Sequence, residues 1–233
     1  ATSVPLAKQF FSMIAFTFIS IGVLISHFVK PITGSPIILI LAVVSIIINI
    51  ITVAVILLFS VSKRVGPAFV IKILKLLNKM HIIKNYKVKF FQVARFVKSY
   101  QRSIKDFSKS AWTIFSQLFF AFFTYFATYS IAYFIYLAFL PLNPTPVLVS
   151  WADVFCCAVL CDLVSGIIPL PGGTGMAEIS FDNLFKRLFS ITVFPWALMI
   201  WRTLTYFVFI IVGGIAMSFS FIKSSRKLKK KSK

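Results

Sequence analysis

Residues 169–178 read PLPGGTGMAE and interrupt a chain that is otherwise built from long apolar runs. Proline removes a backbone donor and glycine loosens the chain, so a helix that runs up to Ile168 must break here. Inside a bilayer, a broken helix leaves N–H and C=O groups that only protein or a water-filled cavity can receive. The stretch therefore predicts a buried polar site in a membrane protein.

The acidic residues of the chain gather around this break. Of the 5 Asp and Glu residues, four lie between residues 150 and 190: Asp153, Asp162, Glu178 and Asp182. Ionisable groups at membrane depth are costly, and by default they mark functional sites. The competing interpretation is a charge network that only holds helices together.

The composition is that of an integral membrane protein. Mean hydropathy is +0.95 and 13% of residues are charged, against about a quarter in soluble domains. The net charge of +20 comes from 25 Lys and Arg residues, concentrated in 63–109 and 223–233. Basic blocks beside apolar spans are typical of cytoplasmic segments, so both blocks are predicted to lie inside. Nucleic-acid binding is not expected, because the spans already explain the charge.

Four apolar runs are long enough to cross a bilayer, which requires roughly 20 residues. They cover about 10–29, 36–61, 112–140 and 194–222. In the second run, Asn49 is predicted to bond a neighbouring helix. In the third run, four tyrosines share one face and form either a packing surface or a cavity lining: Tyr125, Tyr129, Tyr133 and Tyr136.

Residues 62–111 are too basic to span a membrane and alternate apolar with basic residues at helical spacing. They are predicted to form cytoplasmic amphipathic helices, either on the anionic inner leaflet or packed as a hairpin. With this loop and the basic tail 223–233 both inside, the chain between them crosses an even number of times. Residues 150–190 then form a re-entrant hairpin of two half-helices, which we favour, or two further spans. Both termini are predicted to be cytoplasmic.

In the hairpin interpretation, the second half-helix begins near Thr174 and its N-terminus faces a cavity. Free N–H groups and the positive end of the helix dipole suit a phosphate there. Glu178 lies one turn into this helix, and Arg202 from the last span either pairs with it or clamps a phosphate. Half-helices with an N-terminus aimed at an anionic substrate recur in secondary transporters. One hypothesis is therefore a proton-coupled transporter of a small polar solute.

The sequence indicates no other kind of site. It contains no evident nucleophile–base pair, zinc signature or P-loop, so no catalytic residue, metal ion or cofactor is predicted. Cys156, Cys157 and Cys161 fall in one apolar helix and are interpreted as packing residues.

Residues 169–178 resemble the P-x-P-G-G-x-G-x-x-E motif of the lysylphosphatidylglycerol synthase/flippase transmembrane family. That family includes the membrane half of the bacterial multiple peptide resistance factor. Arg202 in the last span fits the same pattern. The resemblance covers essentially the whole chain and corresponds to the C-terminal part of the family domain. Since the first residue is also not Met, we expect a piece of a longer protein.

Residues and resemblance together predict an all-α integral membrane protein, a transmembrane helix bundle with a central re-entrant or broken-helix hairpin. The resemblance implies a bacterial inner-membrane flippase for aminoacylated phosphatidylglycerol, with Glu178, Arg202 and either Asp162 or Asp153 in the central lipid site. The predicted substrate-binding set is Asp153, Asp162, Pro171, Gly172, Gly173, Thr174, Gly175, Glu178 and Arg202.

The expected partners are phospholipid and the membrane. Whether the protein also forms a homo-oligomer is left open by the sequence. In the family, lysyl transfer belongs to a separate soluble domain, and residues 1–233 do not resemble it. The chain is therefore not expected to be an enzyme by itself. The alternative is the membrane part of a phosphatidylglycerol lysyltransferase that acts with such a domain.

Overall fold

The structure is a computed structural model, and every regular element in its described residues is helical. The described residues are 3–29, 36–61, 95, 101–102, 110–143, 147–167 and 173–231. The predicted site residues Pro171 and Gly172 lie outside them, as does nearly all of the predicted amphipathic loop 62–111.

Three long apolar helices come first among the described elements. They are α1 (Ser3–Val29), α2 (Pro36–Val61) and α3 (Ala111–Phe139). Among the described residues, four segments are long and apolar enough to cross a membrane: Lys8–His27, Pro36–Leu58, Ala111–Leu142 and Phe194–Phe219. The prediction of an all-α, multi-pass membrane protein is confirmed.

Two shorter helices follow a 3₁₀ turn at Leu140–Leu142. Helix α4 (Trp151–Ser165) has 15 residues and α5 (Met176–Phe185) has 10. At 1.5 Å per residue they are about 22 Å and 15 Å long, shorter than a hydrocarbon core of about 30 Å. The two helices pack against each other. Helix α4 ends at Ser165 and α5 begins at Met176, and neither helix can span a bilayer alone.

The last candidate span is less regular than the sequence predicted. It consists of α6 (Phe194–Arg202), a π-helical segment (Thr203–Phe207) and α7 (Val208–Lys231). Helix α7 also continues beyond the predicted end of the span, through the basic tail to Lys231. Lysine and arginine are good helix formers and interact favourably with the negative end of a helix, so the tail sequence has no reason to stop it.

The chain divides into two compact units. The first comprises Ala1–Val29 and Val43–Tyr125. Its buried pair Phe10 and Phe11 packs against partly buried hydrophobic residues of three helices: Ile14, Val53, Ile56, Ile114 and Leu118. In the same unit the hydroxyl of Thr17 on α1 donates to Oδ1 of Asn49 on α2 at 2.8 Å. The predicted interhelical bond of Asn49 is therefore confirmed.

The second unit comprises Lys30–Ala42 and Phe126–Lys233, and it contains the break. The buried ring of Phe181 on α5 stacks against Trp201 on α6, with ring centres 4.9 Å apart. It also stacks against Phe185 at 4.4 Å. The contact with Phe185 lies within α5, whereas the contact with Trp201 joins α5 to α6.

The side chain of Asn143 forms two hydrogen bonds with the loop between α5 and α6. Asn143 is buried, its amide nitrogen donates to the carbonyl of Leu188 at 3.1 Å, and its Oδ1 accepts from the N–H of Ser190 at 2.8 Å. Both partners are backbone groups of the loop, which forms turns but no helix or strand between Phe185 and Phe194. Asn143 thus helps to set where α6 begins.

We expect Asn143→Ala to lower the free energy of unfolding by about 1–3 kcal/mol, because two partly buried backbone groups lose their partner. Thermal unfolding in detergent can be followed with a thiol-reactive dye, since Cys156, Cys157 and Cys161 are buried thiols. The matched control is Asn183→Ala, whose amide bonds the Ile179 carbonyl at the exposed surface of α5. Equal unfolding midpoints for the two variants would contradict a stabilising role of Asn143 in the loop.

Candidate functional site

The carboxylate of Glu178 turns back to the start of its own helix. The N–H of Gly175 donates to its Oε2 at 2.6 Å. This bond is one half of a capping box, and the other half is missing because Gly175, the N-cap, has no side chain. An internal anion therefore sits at the N-terminus of α5, where the sequence predicted free N–H groups.

The same carboxylate binds Arg202 at the end of α6. Nε and Nη2 of Arg202 both donate to Oε1 of Glu178, at 2.8 and 2.6 Å. The Arg202 side chain is 10% exposed, whereas that of Glu178 is 38% exposed. The ion pair is thus enclosed on the arginine side and accessible on the glutamate side. Of the two roles predicted for Arg202, pairing with Glu178 is the one present in the structure.

Two aromatic rings border the guanidinium of Arg202. Its Cζ lies 5.6 Å from the ring centre of Trp201 and 5.8 Å from that of Tyr206, within the range of about 6 Å for cation–π attraction. Sequence reasoning did not name either residue. Tyr206 lies four residues after Arg202, and helical i, i+4 spacing is the signal that pointed to it.

Two glycines of the motif have backbone conformations that other residues rarely adopt. Gly173 has φ +60° and Gly175 has φ +90°. A Cβ at Gly173 would also lie 2.8 Å from the Cβ of Ser165, at the end of α4. Gly173 therefore permits the close approach to α4, and Gly175 permits the turn into α5. Thr174 between them is exposed.

Asp162 lies on α4 and binds the tyrosine stripe of α3. The hydroxyl of Tyr129 donates to Oδ2 of Asp162 at 2.7 Å. Tyr129 is buried, with 5% of its surface exposed, whereas Asp162 is exposed. In the described part of the chain, the ion pairs of this region join Glu178 to Arg202 and Asp182 to Lys186, and neither includes Asp162.

The remaining two acids of the region have local contacts. Asp153 forms a capping box with Ser150 at the start of α4, and its Oδ2 accepts from the Ser150 hydroxyl at 2.8 Å. Asp182 lies 4.0 Å from the amine of Lys186, and both side chains are largely exposed. Asp153 and Asp162 stand nine residues apart on α4, about 14 Å along the helix. The structure therefore assigns the two aspartates, which the sequence left as alternatives, to different surroundings.

No group of three or more His, Cys, Asp or Glu side chains that could hold a metal ion occurs among the described residues. Cys156, Cys157 and Cys161 are buried, as their interpretation as packing residues requires.

A family model described as the lysylphosphatidylglycerol synthase TM region matches residues 1–213. The chain belongs to this family. The matched residues include the break, Glu178 and Arg202. Family membership supports a membrane role in lysylphosphatidylglycerol metabolism or translocation. Comparisons with curated proteins and with solved structures find no match.

The ion pair between Glu178 and Arg202 is expected to be energetically coupled. In a double-mutant cycle of Glu178→Gln and Arg202→Gln, the two losses of stability should differ from additivity by about 1 kcal/mol or more, as for groups in direct contact. Thermal unfolding in detergent measures each corner of the cycle.

The control is the pair Asp182 and Lys186, whose side chains are 48% and 66% exposed. A cycle of Asp182→Asn and Lys186→Gln should give a coupling of about 0–1 kcal/mol, as for exposed pairs. Additive effects of Glu178→Gln and Arg202→Gln would mean that the observed contact does not stabilise the protein.

Gly173→Ala should destabilise the break by about 1–3 kcal/mol, because the new Cβ meets Ser165 and the positive φ is strained for alanine. The measurement is again the unfolding midpoint. Gly22→Ala in α1 is the control, since a Cβ there has no neighbouring atom within 4 Å. A Gly173→Ala variant as stable as Gly22→Ala would show that the turn does not need this glycine.

Proposed function

We propose that the chain is the lipid-handling membrane domain of a bacterial phospholipid flippase, acting on aminoacylated phosphatidylglycerol. The observation that carries the proposal is the Glu178 carboxylate, held between the N–H of Gly175 and the guanidinium of Arg202 at a break between two short helices. Membership of the lysylphosphatidylglycerol synthase transmembrane family supports the choice of lipid.

The donors that bind Glu178 are the groups that bind phosphate in other proteins. Backbone N–H groups at a helix N-terminus and a bidentate arginine are both suited to an anionic oxygen. A lipid phosphate would therefore compete with Glu178 at the glycine turn, residues 173–175, and at Arg202. Glu178 is 38% exposed, so an incoming headgroup can reach the pair from the glutamate side.

The lengths of α4 and α5 fit a re-entrant hairpin in which the turn lies at membrane depth. Each helix is too short to span, and the two pack against each other. In this arrangement the basic segments 62–111 and 223–233 and both termini are cytoplasmic, following the positive-inside rule. A headgroup bound at the turn is then shielded from the apolar core, while the acyl chains stay in lipid.

A second candidate function is the membrane part of a phosphatidylglycerol lysyltransferase. The description of the family as a synthase favours it. In that case, the site of Glu178 and Arg202 would hold the phospholipid acceptor for a separate catalytic domain. The chemistry at the site is the same, and the difference lies in whether the lipid changes leaflet.

The test is the leaflet exposure of labelled lysylphosphatidylglycerol in proteoliposomes that contain the purified protein. We expect the wild type to move the lipid between leaflets, and Glu178→Gln and Arg202→Gln to slow this movement at least about tenfold. A factor of ten corresponds to about 1.4 kcal/mol, close to the lower end of the range for losing one charged hydrogen bond.

Asp182→Asn is the matched control, because it removes an exposed carboxylate from the same helix one turn later. It should flip lipid at the wild-type rate. If all three variants move lipid as fast as the wild type, the site has no part in transport. If the wild type moves no lipid, but a separate lysyl-transferring domain added to its membranes forms lysyl-lipid from lysyl-tRNA only when this chain is present, the second candidate is correct.

A further inference from the structure

Asp162 differs from the other acids of the region in what surrounds it. Both oxygens of Glu178 are engaged, one by Gly175 and one by Arg202. Asp153 caps its own helix. Asp162 accepts a hydrogen bond on Oδ2 from Tyr129. Most residues of α4 are buried, but Asp162 is exposed.

The charges of the region indicate which kind of ligand Asp162 can bind. The Glu178–Arg202 pair is neutral as a unit, so it leaves the negative charge of Asp162 uncompensated among the described ion pairs. A carboxylate that faces lipid costs at least about 2.5–3.5 kcal/mol. An exposed carboxylate in a membrane chain therefore calls for water or a cation, and it repels a phosphate.

The hydroxyl of Tyr129 restricts how that carboxylate can turn. Tyr129 is buried, so its ring cannot follow Asp162 freely, and the 2.7 Å bond directs Oδ2 toward α3. A hydrogen bond to a charged acceptor is stronger than one between neutral groups. With Oδ2 held, Oδ1 is the oxygen that remains to meet a ligand from the exposed side.

We propose that Tyr129 is a specificity-determining positioning residue, which holds Asp162 so that its second oxygen binds the cationic amine of a lipid headgroup. This inference rests on the proposed function for its ligand, since an aminoacylated phospholipid carries that amine. It assigns the amine end of the headgroup to Asp162 and Tyr129, apart from the anionic end at Arg202.

The fold does not depend on the Tyr129 hydroxyl alone, so the residue can be altered. The Tyr129 ring meets Phe155 edge to face at 5.6 Å, a contact that phenylalanine keeps. A second bond joins the same two helices, from Nε1 of Trp151 to the hydroxyl of Ser130 at 3.1 Å. Tyr129→Phe should therefore remove the orienting bond and leave α4 docked on α3.

The experiment measures binding of lysylphosphatidylglycerol and of phosphatidylglycerol to the purified protein in detergent, by competition with one labelled lipid. The two lipids differ by the amine-bearing lysyl group. We expect Tyr129→Phe to weaken binding of the lysyl lipid about three- to tenfold, as for loss of one hydrogen bond, and to leave phosphatidylglycerol unchanged. Tyr133→Phe, one turn further along the stripe, is the control and should change neither.

Asp162→Asn should abolish the preference for the lysyl lipid, and adding Tyr129→Phe to it should change nothing more, because the hydroxyl acts through the carboxylate. Equal weakening of both lipids by Tyr129→Phe, or additive effects in the double variant, would overturn the proposal and make the bond merely structural. So would a wild type that binds both lipids equally, even if it flips them. A wild type that prefers the lysyl lipid but moves none would instead overturn the proposed transport.

Discussion

The carboxylate of Glu178 joins the start of α5 to the end of α6, and the local architecture follows from that bond. An arginine with 10% of its side chain exposed needs an anion, because an isolated charge in a low-dielectric setting costs several kcal/mol. Glu178 reaches Arg202 because Gly175 takes a positive φ and because Phe181 stacks on Trp201. Buried ion pairs are often poor stabilisers compared with apolar packing, so this one is better understood as fixing how two helices meet.

The π-helical segment after Arg202 belongs to the same arrangement. A π segment changes the i→i+4 ladder, and such segments are frequent at functional sites. Here the hydroxyls of Thr203 and Thr205 donate to the carbonyls of Met199 and Trp201, four residues earlier, and so compete with backbone N–H groups for these acceptors. Tyr206, whose ring centre lies 5.8 Å from the guanidinium carbon, belongs to this segment. The irregularity therefore begins directly after the arginine of the ion pair.

Much of the fold could be predicted because it follows from solubility in the bilayer. The four spans, the end of one helix before the proline- and glycine-rich motif, the start of another near Thr174, and Glu178 as one of two partners for Arg202 need only hydropathy, proline and glycine chemistry, and the cost of a buried charge. The π segment could not be predicted in this way, since Thr203–Phe207 contains neither proline nor glycine. The partner of Asp162 was also beyond the sequence. Four tyrosines share the stripe, and only the packing of α4 selects Tyr129.

The four acids near the break are chemically alike, yet their surroundings give them different uses. Asp153 satisfies N–H and O–H groups at the start of a helix, and Asp182 forms an exposed pair whose energy is small. Glu178 neutralises an enclosed arginine and is itself half accessible. Asp162 is held by a neutral donor, which orients a carboxylate without cancelling its charge. A site that pairs one acid with arginine and leaves another charged presents two separate surfaces to a ligand. In the proposed site, one contains the strong donors that bind Glu178, which a lipid phosphate would take over, and the other contains an acceptor for a cation. A zwitterionic or aminoacylated headgroup carries both an anion for the donors and a cation for the acceptor, whereas a simple phosphate carries only the anion.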